Sequence, residues 1–196
     1  NLKQELKLGG EKRKITVFFS DIRDFTSISE KLSPEELVKL INEYLTEMTN
    51  IILEHRGTVD KFIGDAVMAL WNAPLNQEAH AKMACRCAIA QIRRLEEIKP
   101  SWKEKNLPPI EIGCGINTGD AVIGNMGSEE RFSYTAMGDA VNLASRLESL
   151  TKQYGVKIYT VTSSPLTSKF YGWKSLGTYN FLSVQPRSRL YTSSRT

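Results

Sequence analysis

The hydrophobic pattern alternates between short apolar runs that end in carboxylates and longer stretches with helical spacing. Ile15 to Phe19 (ITVFF) are all apolar or β-branched, and the chain turns polar at Ser20-Asp21. A run of this kind predicts a strand buried on both faces. Val59 to Trp71 (VDKFIGDAVMALW) has the same character, with Gly64-Asp65 between two apolar runs, which predicts a hairpin. Between these, Ser33-Pro34-Glu35-Glu36 carries the N-cap, first-position and third-position residues of a helix start. Leu37, Leu40, Ile41, Tyr44, Leu45, Met48, Ile51 and Ile52 continue it to about His55, and Gly57 ends it.

A second long helix is expected from Glu78 to about Ile98, followed by a polar, proline-bearing loop from Lys99 to Pro109. Ile110 to Asn117 reads as a strand, Gly119-Asp120 as a turn, and Ala121 to Met126 as the returning strand. Ser133 to Met137 is a short extended piece. Gly138-Asp139 then opens a helix with Val141, Leu143, Ala144, Leu147 and Leu150 as its apolar positions. Val156 to Val161 is a strand, Leu166 to Phe170 a short helix, and the residues from Gly172 onward a loose strand pair. This order predicts an α+β fold, with helices packed against a mostly antiparallel sheet of the ferredoxin-like, palm type.

The 196 residues suffice for one well-buried domain, and 41% hydrophobic with 24% charged residues is ordinary for a globular protein. A net charge of +4 suits an anionic small ligand and does not by itself argue for nucleic acid. Apolar runs fall well short of the roughly 20 residues that span a bilayer; a cytoplasmic location is expected for this stretch, with membrane attachment of the full-length parent left open. Asn1 to about Glu11, with Gly9-Gly10 as a flexible joint, reads as a linker from an upstream sensor, and residues 12–196 as the domain itself. With Asn rather than Met in first place, the chain is expected to be a piece of a longer protein. Cys85, Cys87 and Cys114 have no zinc spacing and read as buried, reduced thiols.

Candidate chemistry centres on Asp21 and Asp65, two carboxylates at the ends of buried runs and expected to meet in space. Oxygen-rich surroundings without a useful His or Cys suit Mg2+ or Mn2+ rather than Zn2+, unless both residues are simply turn aspartates. A pair of metals held by shared carboxylates is a common device for in-line attack at phosphorus. Asn142 and Arg146 lie one turn apart on a helical face, suited to orienting a sugar oxygen and holding a charged phosphorus centre, or else to facing solvent. Lys61 stands in an otherwise apolar strand, where it either has a partner or snorkels to the surface.

FSDIRDFT, GTVDKFIGDAVMALW, GINTGDAVIGNMGS and YTAMGDAVNLASRLE, in this order and spacing, resemble the catalytic domain of class III nucleotidyl cyclases. Within that family the match is to adenylyl cyclases of the bacterial and soluble type, from about Lys12 to Tyr171. The resemblance implies two divalent cations per site, Mg2+ or Mn2+ with Ca2+ as an alternative. Asp21, Asp65 and the Ile22 carbonyl match their ligands. The turn Ile22, Arg23, Asp24, Phe25 and Thr26 matches the loop whose amides cradle the β- and γ-phosphates. Lys61 and Thr135 match the purine-reading pair, Asn142 the ribose-orienting residue and Arg146 the residue on the α-phosphate. The family's catalytic unit is a head-to-tail dimer with both sites at the interface. One chain supplies the aspartates and the other supplies Lys61, Thr135, Asn142 and Arg146. A homodimer converting ATP to cyclic AMP and pyrophosphate is therefore expected.

Lys61 can only donate, which suits adenine N1, and a Thr135 hydroxyl can accept from adenine N6. Guanine presents N1–H and O6 instead, so a guanylyl cyclase would want an acidic residue at position 61. The tail departs from the family pattern. Where a Val-Lys-Gly-Lys-like stretch brings a lysine to the phosphates, this chain has Val184-Gln185-Pro186-Arg187, leaving Arg187, Arg189 or Lys174 as substitutes. Guanylyl cyclase, a non-catalytic nucleotide-binding regulatory domain and a polymerase-like palm remain as alternatives. The last lacks a broad basic groove or an aromatic stacking stretch.

Overall fold

The computed structural model describes residues 8–161 and, in their backbone alone, residues 173–176 and 179–182. The first strand, β1 (Gly9–Ile22), begins six residues before the apolar run because Gly9 to Lys14 pair with a later strand, β4 (Ile112–Gly127). Gly9-Gly10 is thus strand and not a flexible joint. Ile15, Val17 and Phe19 are buried in one cluster and Phe18 and Ile22 in another, so the unbroken apolar run serves both faces.

A five-residue helix, α1 (Phe25–Ser29), leads into α2 (Pro34–Glu54). Ser33 accepts from the Glu36 amide while the Glu36 carboxylate accepts from the Ser33 amide, the reciprocal cap the sequence predicts. The hairpin β2 (Thr58–Ile63) and β3 (Ala66–Trp71) turns at Gly64-Asp65. Helix α3 (His80–Glu104) is longer than expected and runs through Pro100, removing most of the anticipated loop. Proline costs about 3 kcal/mol inside a helix, but ending α3 at Ile98 would unseat Trp102, which is fully buried. Burying so large an aromatic offsets a cost of that size.

β5 (Phe132–Met137) and α4 (Asp139–Gln153) follow β4, and then β6 (Ile158–Val161), β7 (Trp173–Leu176) and β8 (Tyr179–Leu182). The sheet order is β2-β3-β1-β4-β6-β8-β7, with β5 paired to β4. The β4–β6 pair is parallel and the others antiparallel, in keeping with an α+β fold on a mostly antiparallel sheet. The loose strand pair expected after Gly172 is β7 and β8. Leu166–Phe170, Arg187 and Arg189 lie outside the described residues, as does the side chain of Lys174. Among the described residues no helix is long and apolar enough to cross a membrane.

One expectation fails instructively. Gly119-Asp120 makes no turn, and β4 is a single 16-residue strand through it. Lys14 and Ile15 pair with Asp120 and Gly119, and Lys12 forms an ion pair with Asp120 at 3.1 Å. The glycine is there for helix packing: a Cβ at Gly119 would stand 3.1 Å from the Ala140 Cβ of α4. Gly115 is tighter still, its absent Cβ lying 2.2 Å from the Glu148 amide nitrogen and 2.3 Å from the Ala144 carbonyl oxygen. Backbone cannot yield there. Gly115→Ala is therefore expected to push α4 off the sheet and destabilise the fold by about 3 kcal/mol or more. A urea titration reads this directly, and a midpoint within error of wild type would refute the packing argument.

Helices α2 and α3 cover one face of the sheet through Leu40, Tyr44, Met48, Ala88, Ile92 and Leu95, and α4 covers the other. All three cysteines are buried and free. Burial pushes the Cys85 thiol up to about 12 and holds Cys114 well above its usual value. A thiol reagent at pH 8 is expected to label none of the three quickly in native protein and all three in denaturant. Fast labelling without denaturant would contradict this burial.

Candidate active site

β1 delivers Asp21 opposite Gly113, while the β2–β3 turn delivers Asp65, and the two carboxylates meet. The Ile22 amide donates to Asp65 Oδ2 at 3.1 Å, fixing the turn against the strand end. Burial above all, then the hydrogen bond to Asp65 and the charges of Asp65 and Glu148, pushes the Asp21 carboxyl up to about 7. Two half-buried carboxylates brought into contact fit a hard divalent cation such as Mg2+ or Mn2+. Among the described residues there is no group of three or more His, Cys, Asp or Glu side chains arranged to hold a metal. The fit therefore rests on the two aspartates.

The turn after Asp21 is held from behind. Arg23 donates its amide to the Glu111 carbonyl at 2.8 Å, and its guanidinium contacts Thr151 and lies 3.7 Å from Glu148. Asp24, at φ 53°, accepts from Lys152 at 2.7 Å, which holds its carboxyl below the usual range. Phe25 and Thr26 open α1, where first-turn amides have no carbonyl four residues back to take. Of the five loop residues, Ile22 and Arg23 thus spend their amides inside the protein, which leaves the first helical turn as the source of amides for an anion.

Lys61 and Thr135 meet within one chain: Lys61 Nζ donates to Thr135 Oγ1 at 3.1 Å. Thr135 sits on β5 opposite Gly124, and Lys61 on β2 opposite Met68. Residues 122–125 of β4 pair with β1 and β5 at once, so β5 flanks β4 on the side away from β1. Four strand spacings, about 19 Å in a flat sheet, separate β2 from β5. The registers also set Lys61 level with Gly115 and Thr135 level with Gly124, nine residues further along β4, so the sheet must curl across its strands and β4 must bend along its length to close this contact.

Asp60 escaped the sequence reading. Its side chain is fully buried beneath this pair, accepts from the Thr135 hydroxyl at 2.6 Å through Oδ2 and lies 3.3 Å from Lys61 Nζ through Oδ1. The available signal was an aspartate inside a strand, where Asp is depleted. Glu148 was missed as well, although its spacing from Ala144 and Thr151 places it on the buried face of α4. Burial raises its carboxyl despite the Arg23 charge.

Asn142 and Arg146 are exposed on the side of α4 away from the sheet, opposite the buried Ala140, Ala144 and Leu147. Neither makes a hydrogen bond or ion pair to Asp21 or Asp65 among the described residues. The structure thus gathers the aspartates in one place and Lys61 with Thr135 in another, and leaves Asn142 and Arg146 presented outward.

The chain is 46% identical over 147 residues to adenylate cyclase 1 of Rhizobium meliloti, covering 75% of this chain and 22% of that protein. It is 39% identical over 155 residues to an adenylate cyclase of Anabaena cylindrica, covering 77% and 30%. It spans under a third of the length of either relative. Among solved structures it resembles the adenylyl cyclase CyaB from P. aeruginosa, with TM-score 0.75 and 35% identity over 94% of this chain and 100% of that one. It also resembles the guanylyl cyclase Cya2, with TM-score 0.78 and 35% identity over 89% and 93%. The model of the adenylate and guanylate cyclase catalytic domain matches residues 10–189, and the chain belongs to that family.

Proposed function

We propose that this domain is an adenylate cyclase, converting ATP to 3′,5′-cyclic AMP and pyrophosphate. The observation that carries the choice of base is the contact of Lys61 with Thr135 at 3.1 Å. A lysine donor meets adenine N1, and the threonine oxygen accepts from N6, whereas guanine would set N1–H against the ammonium. In the reaction the ribose O3′ bonds to the α-phosphorus as its bond to the bridging oxygen of pyrophosphate breaks, and the 3′-hydroxyl proton passes to solvent. Asn142 orients the ribose and Arg146 holds the charge growing on the α-phosphate. Two divalent cations, Mg2+ or Mn2+, at Asp21, Asp65 and the Ile22 carbonyl would lower the pKa of the 3′-hydroxyl and neutralise triphosphate charge. The turn Ile22–Thr26 takes the β- and γ-phosphates through the first-turn amides of α1, since those of Ile22 and Arg23 are bonded to Asp65 and Glu111.

Asn142 and Arg146 need a substrate that the aspartates of their own chain do not bring them. A head-to-tail homodimer with two equivalent sites meets that need. Exposed apolar residues support it: Val122 and Met137, paired across β4 and β5, are 45% and 59% exposed. The greater length of the curated relatives supports an upstream sensor or regulatory region in the parent protein, which we place in the cytoplasm at least for this domain.

Cyclic nucleotide formation from ATP and from GTP, with Mg2+ or Mn2+, at several protein concentrations tests this reading. Cyclic AMP alone is expected, with specific activity rising as protein concentration rises. Comparable turnover of GTP would overturn the Lys61–Thr135 argument and favour the guanylyl reading that the likeness to Cya2 keeps open. Nucleotide binding without turnover would favour a regulatory domain.

A further inference from the structure

We propose that Asp60 is a positioning residue that makes the Thr135 hydroxyl an obligate acceptor toward the base, and so selects a 6-amino purine. The inference rests on the adenylate cyclase reading above and assigns a part of its specificity that Lys61 and Thr135 do not supply by themselves.

A threonine hydroxyl has one hydrogen and two lone pairs, and by rotating it can donate to one base or accept from another. Left free, Thr135 would accept from the N6 amine of adenine or donate to the O6 carbonyl of guanine, and would discriminate little at position 6. The structure removes that freedom. The one hydrogen of Thr135 goes to Asp60 Oδ2 at 2.6 Å, a short bond to a carboxylate oxygen. One lone pair receives Lys61 Nζ at 3.1 Å. A single lone pair then remains for the base, and it fits only a donor. With no exposed side-chain surface, Asp60 cannot trade Thr135 for water without leaving a buried carboxylate oxygen unpaired.

A group that merely balanced the Lys61 charge would predict something different. Its second oxygen stands 3.3 Å from Lys61 Nζ but lacks hydrogen-bond alignment there. The stronger interaction is with threonine, so losing Asp60 should change which base is accepted more than how tightly any base is held.

The test needs a probe that isolates position 6 from N1. Purine riboside triphosphate keeps the N1 acceptor and has only hydrogen at position 6. The 6-methoxy analogue keeps N1 and presents an acceptor oxygen. In wild type, kcat/KM is expected to follow ATP, then the unsubstituted purine, then the 6-methoxy purine, with at least about tenfold between the last two. Asp60→Asn keeps the shape but offers an amide that can donate to Thr135 and turn its hydrogen toward the base. In D60N the 6-methoxy analogue should rise to or above the unsubstituted purine while ATP falls, and this reversal should vanish in a Thr135→Val background. Equal use of the two analogues by wild type overturns the proposal without any variant, so it does not depend on D60N folding. A uniform fall for all substrates in D60N overturns it too and assigns Asp60 to holding Lys61. Failure of wild type to turn over ATP would instead sink the adenylate cyclase reading itself.

Discussion

Asp21→Asn should abolish cyclic AMP formation and at the same time make the metal-free domain more stable. The carboxyl is pushed up to about 7 in the fold, from an ordinary value of 3.8, by burial and by Asp65. Between those two values the folded state holds a proton that the unfolded chain releases. Its contribution to stability is therefore fully present below about pH 4 and is lost as pH rises through about 7. Asparagine has no charge to bury, so D21N escapes that loss. With partial solvation discounted, the gain at pH 8 is about 1 kcal/mol, or ~2–4 °C in Tm for a domain of this size. Adding Mg2+ or Mn2+ should raise the Tm of wild type and leave D21N nearly unmoved. Turnover should fall by about 10³-fold or more, since cation binding contributes several kcal/mol to the transition state. Thermal melts at pH 6 and pH 8, with and without cation, check each part. A D21N enzyme within tenfold of wild type would remove Asp21 from the catalytic machinery.

Mixing two dead variants should restore activity. Arg146→Ala alone should lose about 10²–10³ in kcat, the usual cost of removing a donor from a developing oxyanion, and D21N should be inactive for the reason above. In a head-to-tail homodimer each site takes its aspartates from one chain and its arginine from the other. Equimolar mixing makes half the dimers mixed, and each mixed dimer has one intact site of two, so about a quarter of wild-type activity should return. The outward placement of Arg146, with no bond to either aspartate among the described residues, is what motivates the test. No recovery after exchange of subunits, shown by size or labelled chains, would mean that one chain completes its own site.

Much of the local structure was legible because its causes are local. Ser33, Pro34 and Glu36 declare where α2 starts, and the spacing from Leu37 to Ile52 declares which face is buried. Gly64-Asp65 declares the hairpin, and with it the position of Asp65. Where one residue type serves two purposes, local reading failed. Gly119 looks like a turn glycine, yet it makes room for Ala140 of α4, a residue on another element. Pro100 looks like a helix stop, but the burial of Trp102 two residues later decides otherwise. Asp60 and Glu148 were passed over because a carboxylate in an apolar setting becomes interpretable only once its partner is known.

By itself the sequence determined the chemical inventory: which carboxylate ends the buried run of β1 and which sits in the hairpin turn, which lysine stands in an apolar run, and which helical face carries Asn142 and Arg146. These follow from side-chain chemistry and from the periods of helix and strand, both short-range properties. Only the tertiary structure decided that Lys61 and Thr135, 74 residues apart, touch, and that a buried Asp60 joins them. That contact depends on the curl across four strand spacings and on the bend of β4 between Gly115 and Gly124. Each pair of strands contributes a small twist that no short stretch of residues records, and only the assembled sheet adds them up.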